Sequence, residues 1–195
     1  MSKIVEILKK YDINGFDKNG GTDKATDHSY DVFYDQIFED KKNKSLTVME
    51  IGVQYGGSAL LWQEFFPNSK FVFVDNVNII HNKILSLLDN SRYDLLIEDA
   101  FKESFIEKLK LNYNDGFDVI IEDGPHTLES QKFAIKHYSS LLKKDGLLII
   151  EDIQNYDYCE TIINEIDKKD FNSIEIVDLR NNKNRYDDIL IVVKK

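Results

Sequence analysis

Two pairs of carboxylates, Glu122-Asp123 and Glu151-Asp152, each end an apolar run, and Gly124-Pro125-His126 follows the first pair. Like charges brought together repel and raise one another's proton affinity unless a cation or a proton intervenes. Every one of these side chains offers oxygen, which selects a hard divalent ion, Mg2+ ahead of Zn2+. His126 stands just beyond the first pair and titrates near neutral pH, as a general base must. The competing bland reading is a solvated acidic rim whose members cap helix N-termini.

A second constellation lies upstream. Glu50-Ile51-Gly52-Val53-Gln54-Tyr55-Gly56-Gly57-Ser58 puts an acid and three glycines where a strand turns into a helix, a place where backbone can approach a ligand closely. The spacing lacks the middle glycine of the dinucleotide pattern, and no Lys-Ser/Thr pair follows as in a phosphate loop. A tight turn with no ligand is the alternative. Asp75 ends the next strand, where an acid can accept both hydroxyls of an adenosine ribose, and Asp99 ends the one after, near where adenine would lie. Either could instead be an ordinary N-cap. His81 and His137 read as surface residues on helices, whereas His28, in Gly21-Thr22-Asp23-Lys24 through His28-Ser29-Tyr30, is harder to dismiss. Trp62, Tyr30, Phe33, Tyr34 and Phe38 read most simply as core.

These residues need strands that end side by side. Apolar runs at 46–52, 70–75, 93–99, 117–123 and 147–152 alternate with helical patterns at 58–66, 79–89, 101–111 and 128–144, with Asp145-Gly146 as a helix stop. This alternation predicts an α/β fold, a doubly wound Rossmann-like seven-stranded sheet that is mostly parallel. A helix over 159–168 and two last strands at 173–179 and 188–193, joined by a polar connector, predict a C-terminal antiparallel hairpin. Residues 1–45 read as helical with a Gly20-Gly21 break. The whole of 1–195 reads as one domain.

Composition narrows the partners. A formal charge of -10 repels phosphate backbones and anionic membranes, and the basic residues are scattered, so nucleic acid and membrane are disfavoured. The single cysteine, Cys159, forms no internal disulfide, and Met1 to Glu6 lacks a signal-peptide apolar stretch, which favours the cytoplasm.

Taken together, Gly21-Thr22-Asp23-Lys24...His28-x-Tyr30, Glu50-Ile51-Gly52...Gly56-Gly57-Ser58, Trp62...Phe66-Pro67, Glu122-Asp123-Gly124-Pro125-His126 and Gly146...Ile150-Glu151-Asp152 resemble the metal-dependent sugar O-methyltransferases of macrolide biosynthesis. The resemblance implies S-adenosylmethionine at the glycine loop, within Glu50, Gly52, Tyr55, Gly57, Ser58, Asp75, Asn76, Asp99, Ala100 and Glu122. Asp75 is expected on the ribose and Asp99 near the adenine, while Glu122 has no role of its own. It implies Mg2+ or another hard divalent cation on Asp123, Glu151 and Asp152, with His126 as base. Thr22, Lys24 and Tyr30 match the N-terminal signature, which implies that residues 1–45 fold over the cofactor as a lid or wall. Glu122 and Pro125 replace the Asp and Ser often found there, and Glu98-Asp99-Ala100 replaces a Gly-Asp-Gln type turn. The expected partner is a small-molecule sugar or nucleotide sugar, and a homo-oligomer is left open.

Three other readings compete. A catechol or other small vicinal diol would satisfy the same metal chemistry. A non-catalytic adenosyl-ligand-binding protein would keep the site without turnover. A nicotinamide oxidoreductase is disfavoured by the missing glycine.

Overall fold

The structure is a computed structural model that describes residues 2–15 and 20–195. In chain order the elements are α1 (Lys3–Tyr11), α2 (Tyr30–Ile37), β1 (Thr47–Ile51), α3 (Gly57–Phe65), β2 (Lys70–Asp75), α4 (Asn82–Leu85), β3 (Tyr93–Ile97), α5 (Glu103–Asn112), β4 (Phe117–Glu122), α6 (Leu128–Tyr138), β5 (Leu142–Ile150), α7 (Tyr158–Ile163), β6 (Ser173–Asp178), α8 (Arg180–Lys183) and β7 (Ile189–Lys194).

The strands form one seven-stranded sheet in the order β3-β2-β1-β4-β5-β7-β6. β1 to β5 run parallel and β7 is antiparallel to both β5 and β6, as expected for a doubly wound sheet closed by a hairpin. Chain order reverses between β1 and β4. At such a switch point the two flanking connections leave on opposite faces and open a crevice beyond the strand ends. β1 ends at Glu50-Ile51 and β4 at Glu122, so both constellations meet there.

Alternation along the strands sorts the core onto two faces. Val48, Phe71, Phe73, Val119, Ile121, Leu147 and Ile149 pack with α1, α2 and α3 through Ile4, Leu8, Tyr34 and Leu61. Met49, Val72, Val74, Ile120, Leu148 and Ile150 pack with α5, α6 and α7 through Phe105, Leu109, Ala134 and Ile162. The α2 aromatics are core as read, and Trp62 is fully enclosed among Tyr34, Phe38, Phe65 and Phe66.

Several element limits differ from the sequence reading. The helix expected over 79–89 is the single turn α4, capped by the His81 side chain, because Leu87 and Ile79 find no surface to cover and stay exposed. The helix expected over 128–144 stops at Tyr138. Asp145-Gly146 is therefore not its terminus but an irregularity inside β5, with Asp145 at a φ of 62° and a register shift against β4. The helix expected over 159–168 is the shorter α7, which ends at Ile163, and a separate 3-10 turn begins at Lys168. Within 1–45, α1 and α2 flank an irregular segment pinned by the Asn14 to Thr22 bridge, and Met1 and 16–19 lie outside the described residues. No helix among the described residues is long and apolar enough to cross a membrane.

Candidate active site

A cleft at the switch point is continuous between two cavities that share Gly52, Gln54, Asp123 and Gly124. The smaller, of about 110 Å³, adds Gly21, Thr22, Asp23, Ser58, His126 and Asp152. The larger, of about 340 Å³, runs over Asp75, Asn76, Glu98, Asp99, Ala100 and Phe101. Gln54, His126 and Asp152 line this cleft in the left-handed region, with φ of 43°, 54° and 55°. Non-glycine residues held there store local strain, which collects at functional sites.

The glycines of the loop serve the protein's own packing first. A Cβ on Gly52, whose φ is 88°, would stand 1.8 Å from the carbonyl oxygen of Asp123, so only glycine lets the end of β1 pass beneath that of β4. A Cβ on Gly57 would stand 2.4 Å from the carbonyl of Gly21, so the start of α3 is also the seat of the N-terminal segment. Asp75 accepts hydrogen bonds from the amides of Val53 and Gln54, at 3.0 and 2.8 Å, and fixes the loop while lining the cavity. Asp99 accepts from the Phe101 amide and lines the same cavity.

At the other end of the cleft Asp123, His126 and Asp152 converge. Nε2 of His126 lies 3.8 Å from Asp123 Oδ1 and 3.7 Å from Asp152 Oδ2. One ligand atom from each of the three falls within 4.8 Å of the others. The remaining oxygens of the acids are held from behind: Asp123 Oδ2 accepts from Lys24, and Asp152 Oδ1 accepts from Tyr30 at 2.5 Å. Burial, reinforced by Asp123, pushes the Asp152 carboxyl up to about 8. Burial also lowers the His126 imidazole, which is therefore neutral at pH 7, and its Nδ1 is buried without a partner. A neutral imidazole can either accept a proton or bind a cation.

Glu151 stands apart from that trio. Its Oε2 accepts from Lys24 at 2.6 Å, its Oε1 accepts from Tyr34, and burial holds its carboxyl well above the usual range. Lys24 and Tyr30 do not line the cleft. Both are buried beneath it, and the Lys24 ammonium ties together the ends of three strands, through Glu50 at 3.8 Å, Asp123 at 2.7 Å and Glu151 at 2.6 Å. Burial alone would lower that ammonium, but the surrounding carboxylates outweigh it and hold it well above its usual range. Glu50 faces inward as well, accepting from Ser58 and from the indole of Trp62, and burial pushes it up to about 7. Glu122 is buried and accepts from the Gly124 amide through one oxygen, the other having no partner; burial pushes it up to about 8.

Of the residues expected around a cofactor, Thr22, Gly52, Ser58, Asp75, Asn76, Asp99 and Ala100 line the cleft. Lys24, Tyr30, Glu50, Tyr55, Gly57 and Glu122 do not line it. Sequence reasoning passed over Gln54 and Phe101, which do; the acid-to-alanine turn at Asp99-Ala100 was the only signal that the next side chain would be near. It also left His28 without a place. That ring is buried, stacks on Tyr30 and pairs with Asp188 at 2.7 Å and Asp152 at 3.4 Å.

No family model matches the chain. In sequence it is similar to the mycinamicin VI 2''-O-methyltransferase of Micromonospora griseorubida, at 27% identity over 133 residues, 65% of this chain and 32% of that protein. It is similar too to the demethylmacrocin O-methyltransferase of Streptomyces fradiae, at 26% over 133 residues and the same shares of the two chains. The chain thus spans about a third of the length of these curated relatives. Among solved structures it superposes on the MycE methyltransferase of mycinamycin biosynthesis, in complex with Mg, SAH and mycinamycin VI. There the TM-score is 0.71 and the identity 20%, covering 98% of this chain and 54% of that one. Fibrillarin from Aeropyrum pernix, bound to S-adenosyl-L-methionine, superposes with a TM-score of 0.58 at 15% identity over 77% of this chain and 67% of its own. The chain resembles the macrolide sugar O-methyltransferases in sequence, and its fold is that of S-adenosylmethionine-dependent methyltransferases.

Proposed function

We propose that the protein is an S-adenosylmethionine-dependent O-methyltransferase that methylates a hydroxyl of a sugar with the help of Mg2+ or another hard divalent cation. The observation that carries this reading is the convergence of Asp123, Asp152 and a neutral His126 at one end of a cleft whose other end runs between Asp75 and Asp99.

The donor set fits a hard cation. Asp123 and Asp152 turn toward His126 the oxygens that Lys24 and Tyr30 do not use, and all are carboxylate oxygens. Asp123, Glu151 and Asp152 would hold the ion, Glu151 by exchanging its hydrogen bond from Lys24. Bound there, such an ion supplies Lewis-acid polarisation of adjacent hydroxyls. The cavity over Asp75, Asn76 and Asp99 fits an adenosine, with Asp75 at the ribose. S-adenosylmethionine would supply the methyl group as a sulfonium.

The residues of the chain do the rest. Gly21, Thr22 and Asp23 wall the cleft and narrow the water's access to it, while the strained turns at His126 and Asp152 fix the two side chains against the acceptor. His126 would take the hydroxyl proton at Nε2, readying that oxygen for the methyl group, whose bond to sulfur would break to leave S-adenosylhomocysteine. Because burial rather than a partner keeps the ring neutral, it can accept a proton at pH 7 without first losing one.

The equal approach of His126 Nε2 to both acids favours a second reading, in which His126 is a cation ligand rather than the base. His126→Gln separates the two. A base loses turnover, with Mg2+ affinity by calorimetry held within about threefold; a ligand loses Mg2+ affinity by about tenfold or more.

The proposal is tested with S-adenosylmethionine, Mg2+ and a panel of glycosides, nucleotide sugars and catechol. The expected result is methylation of a sugar hydroxyl that chelator and Asp123→Asn abolish while cofactor binding persists. Turnover that survives chelator removes the cation from the reaction. Preference for catechol moves the acceptor class, and binding without turnover on any diol leaves an adenosyl-ligand-binding protein.

A further inference from the structure

Beyond the cleft, the connection between β6 and β7 carries features that neither cofactor nor cation uses. Only three of the chain's 25 basic residues are arginine, and two of them, Arg180 and Arg185, stand in this connection. They line an open groove of about 390 Å³ with Asp178, Asn181, Asn184 and Tyr186.

The groove is fixed to the acceptor end of the cleft by two routes. The Tyr186 hydroxyl donates to Gln154 Oε1 at 3.0 Å, and the Gln154 amide donates to the Asp152 carbonyl at 3.1 Å. Arg185 donates to Asp187 at 2.9 Å, and the Tyr30 hydroxyl reaches both the Asp187 carbonyl and the Asp152 carboxylate. Tyr186 is left 64% exposed at this junction, far more than an aromatic residue tied at its hydroxyl needs to be.

Charge decides what can lie there. Arg180 is gripped by both oxygens of Asp178, at 2.9 and 2.7 Å, and Arg185 is paired with Asp187. Arg180 is neutralised within the groove and Arg185 from the buried Asp187 behind it, so a diphosphate would meet Asp178 as well as the arginines, on a chain of formal charge -10. What remains is an exposed aromatic face among planar amides and ion-paired edges that offer donors beside acceptors. That combination suits a neutral, hydroxyl-rich ring: its C–H face on the tyrosine, its vicinal hydroxyls on Asn181, Asn184 and Arg185.

We propose that this groove is a second glycosyl subsite, which holds on Tyr186 the sugar unit next to the one methylated. The acceptor is then a neutral oligosaccharide rather than a nucleotide-activated monosaccharide. The proposal rests on the reading that the acceptor hydroxyl lies at His126 and Asp152.

The test uses matched methyl glycosides, methyl disaccharides and nucleoside diphosphate sugars of the same hexoses, with binding measured by calorimetry and methyl transfer measured in parallel. The wild-type protein is expected to bind and turn over disaccharides with the lowest KM. Tyr186→Ala raises that KM by about tenfold, the scale of one lost aromatic contact, and leaves the methyl glycoside unchanged. Tyr186→Phe, which keeps the ring and loses the tether to Gln154, stays within about threefold. Tightest binding of the nucleoside diphosphate sugar, lost in Arg180→Ala or Arg185→Ala, overturns the proposal, as does an equal effect of Tyr186→Ala on mono- and disaccharide. Tyr186-dependent binding of disaccharides without methyl transfer keeps the subsite and sinks the transferase reading; transfer indifferent to Tyr186 does the reverse.

Discussion

Lys24 shows how much of the site is electrostatic compensation inside the protein. A fully buried ammonium loses its hydration, and only the carboxylates of Glu50, Asp123 and Glu151 around it make that tolerable. Removing the charge while keeping the stem, as in Lys24→Met, leaves those acids uncompensated. The expected loss is about 3–5 kcal/mol in urea unfolding at pH 8, shrinking at acid pH as the acids take up protons. Millimolar Mg2+ should recover part of it; an equal loss at pH 5 and pH 8 would show that Lys24 contributes packing alone. Glu50 makes the pH argument separately. Its carboxyl is held at about 7 against an ordinary 4.5, so the folded state keeps a proton that the unfolded chain releases. That contribution is fully present below pH 4.5 and is lost as pH rises through about 7, on the order of 3 kcal/mol in all. Glu50→Gln should flatten the stability profile between those limits, and an unchanged slope would assign it to other groups.

At the scale of elements, the contact between α3 and the N-terminal segment sets whether the cleft has a wall. Gly57 is helical and has no positive φ, so Gly57→Ala would favour α3 by roughly 0.5–1 kcal/mol were the helix alone. Its Cβ would instead stand 2.4 Å from the carbonyl of Gly21. We expect net destabilisation, with faster hydrogen exchange at Gly21 to Lys24 and little change in β4 or β5; a Gly57→Ala variant more stable than wild type would refute the seating. The same contact explains the limits of reading the sequence. Strand order and the acidic strand ends were legible because unbroken apolar runs ending in Asp75, Glu122 and Glu151 admit few alternatives. The direction in which Lys24, Glu50 and Glu151 face was not legible. Each reads as a polar residue near a loop, and only the three-dimensional closure of residues 20–34 over the strand ends turns them inward. The β5 irregularity was missed for a related reason: Asp145-Gly146 is a sound helix stop locally, and pairing with β4 overrides it.

For the whole molecule, the switch point brings the cleft, the acid cluster and the aromatic core together. Trp62, the chain's single tryptophan, donates to Glu50, stands 5.9 Å from the Lys24 ammonium and is enclosed by Tyr34 and Phe38. Its fluorescence therefore reports the polar floor of the site and the core at once. S-adenosylhomocysteine at about a hundred times its dissociation constant stabilises a protein that binds it by about 2.7 kcal/mol, which for a chain of this size raises Tm by roughly 5–10 °C. Because residues 20–34, β1, β4 and β5 share Lys24 and Trp62, the tryptophan signal and far-UV circular dichroism should shift together, with and without Mg2+. A tryptophan transition that precedes the loss of secondary structure would mean that the N-terminal wall opens on its own. The cleft would then be assembled by ligand rather than built into the fold.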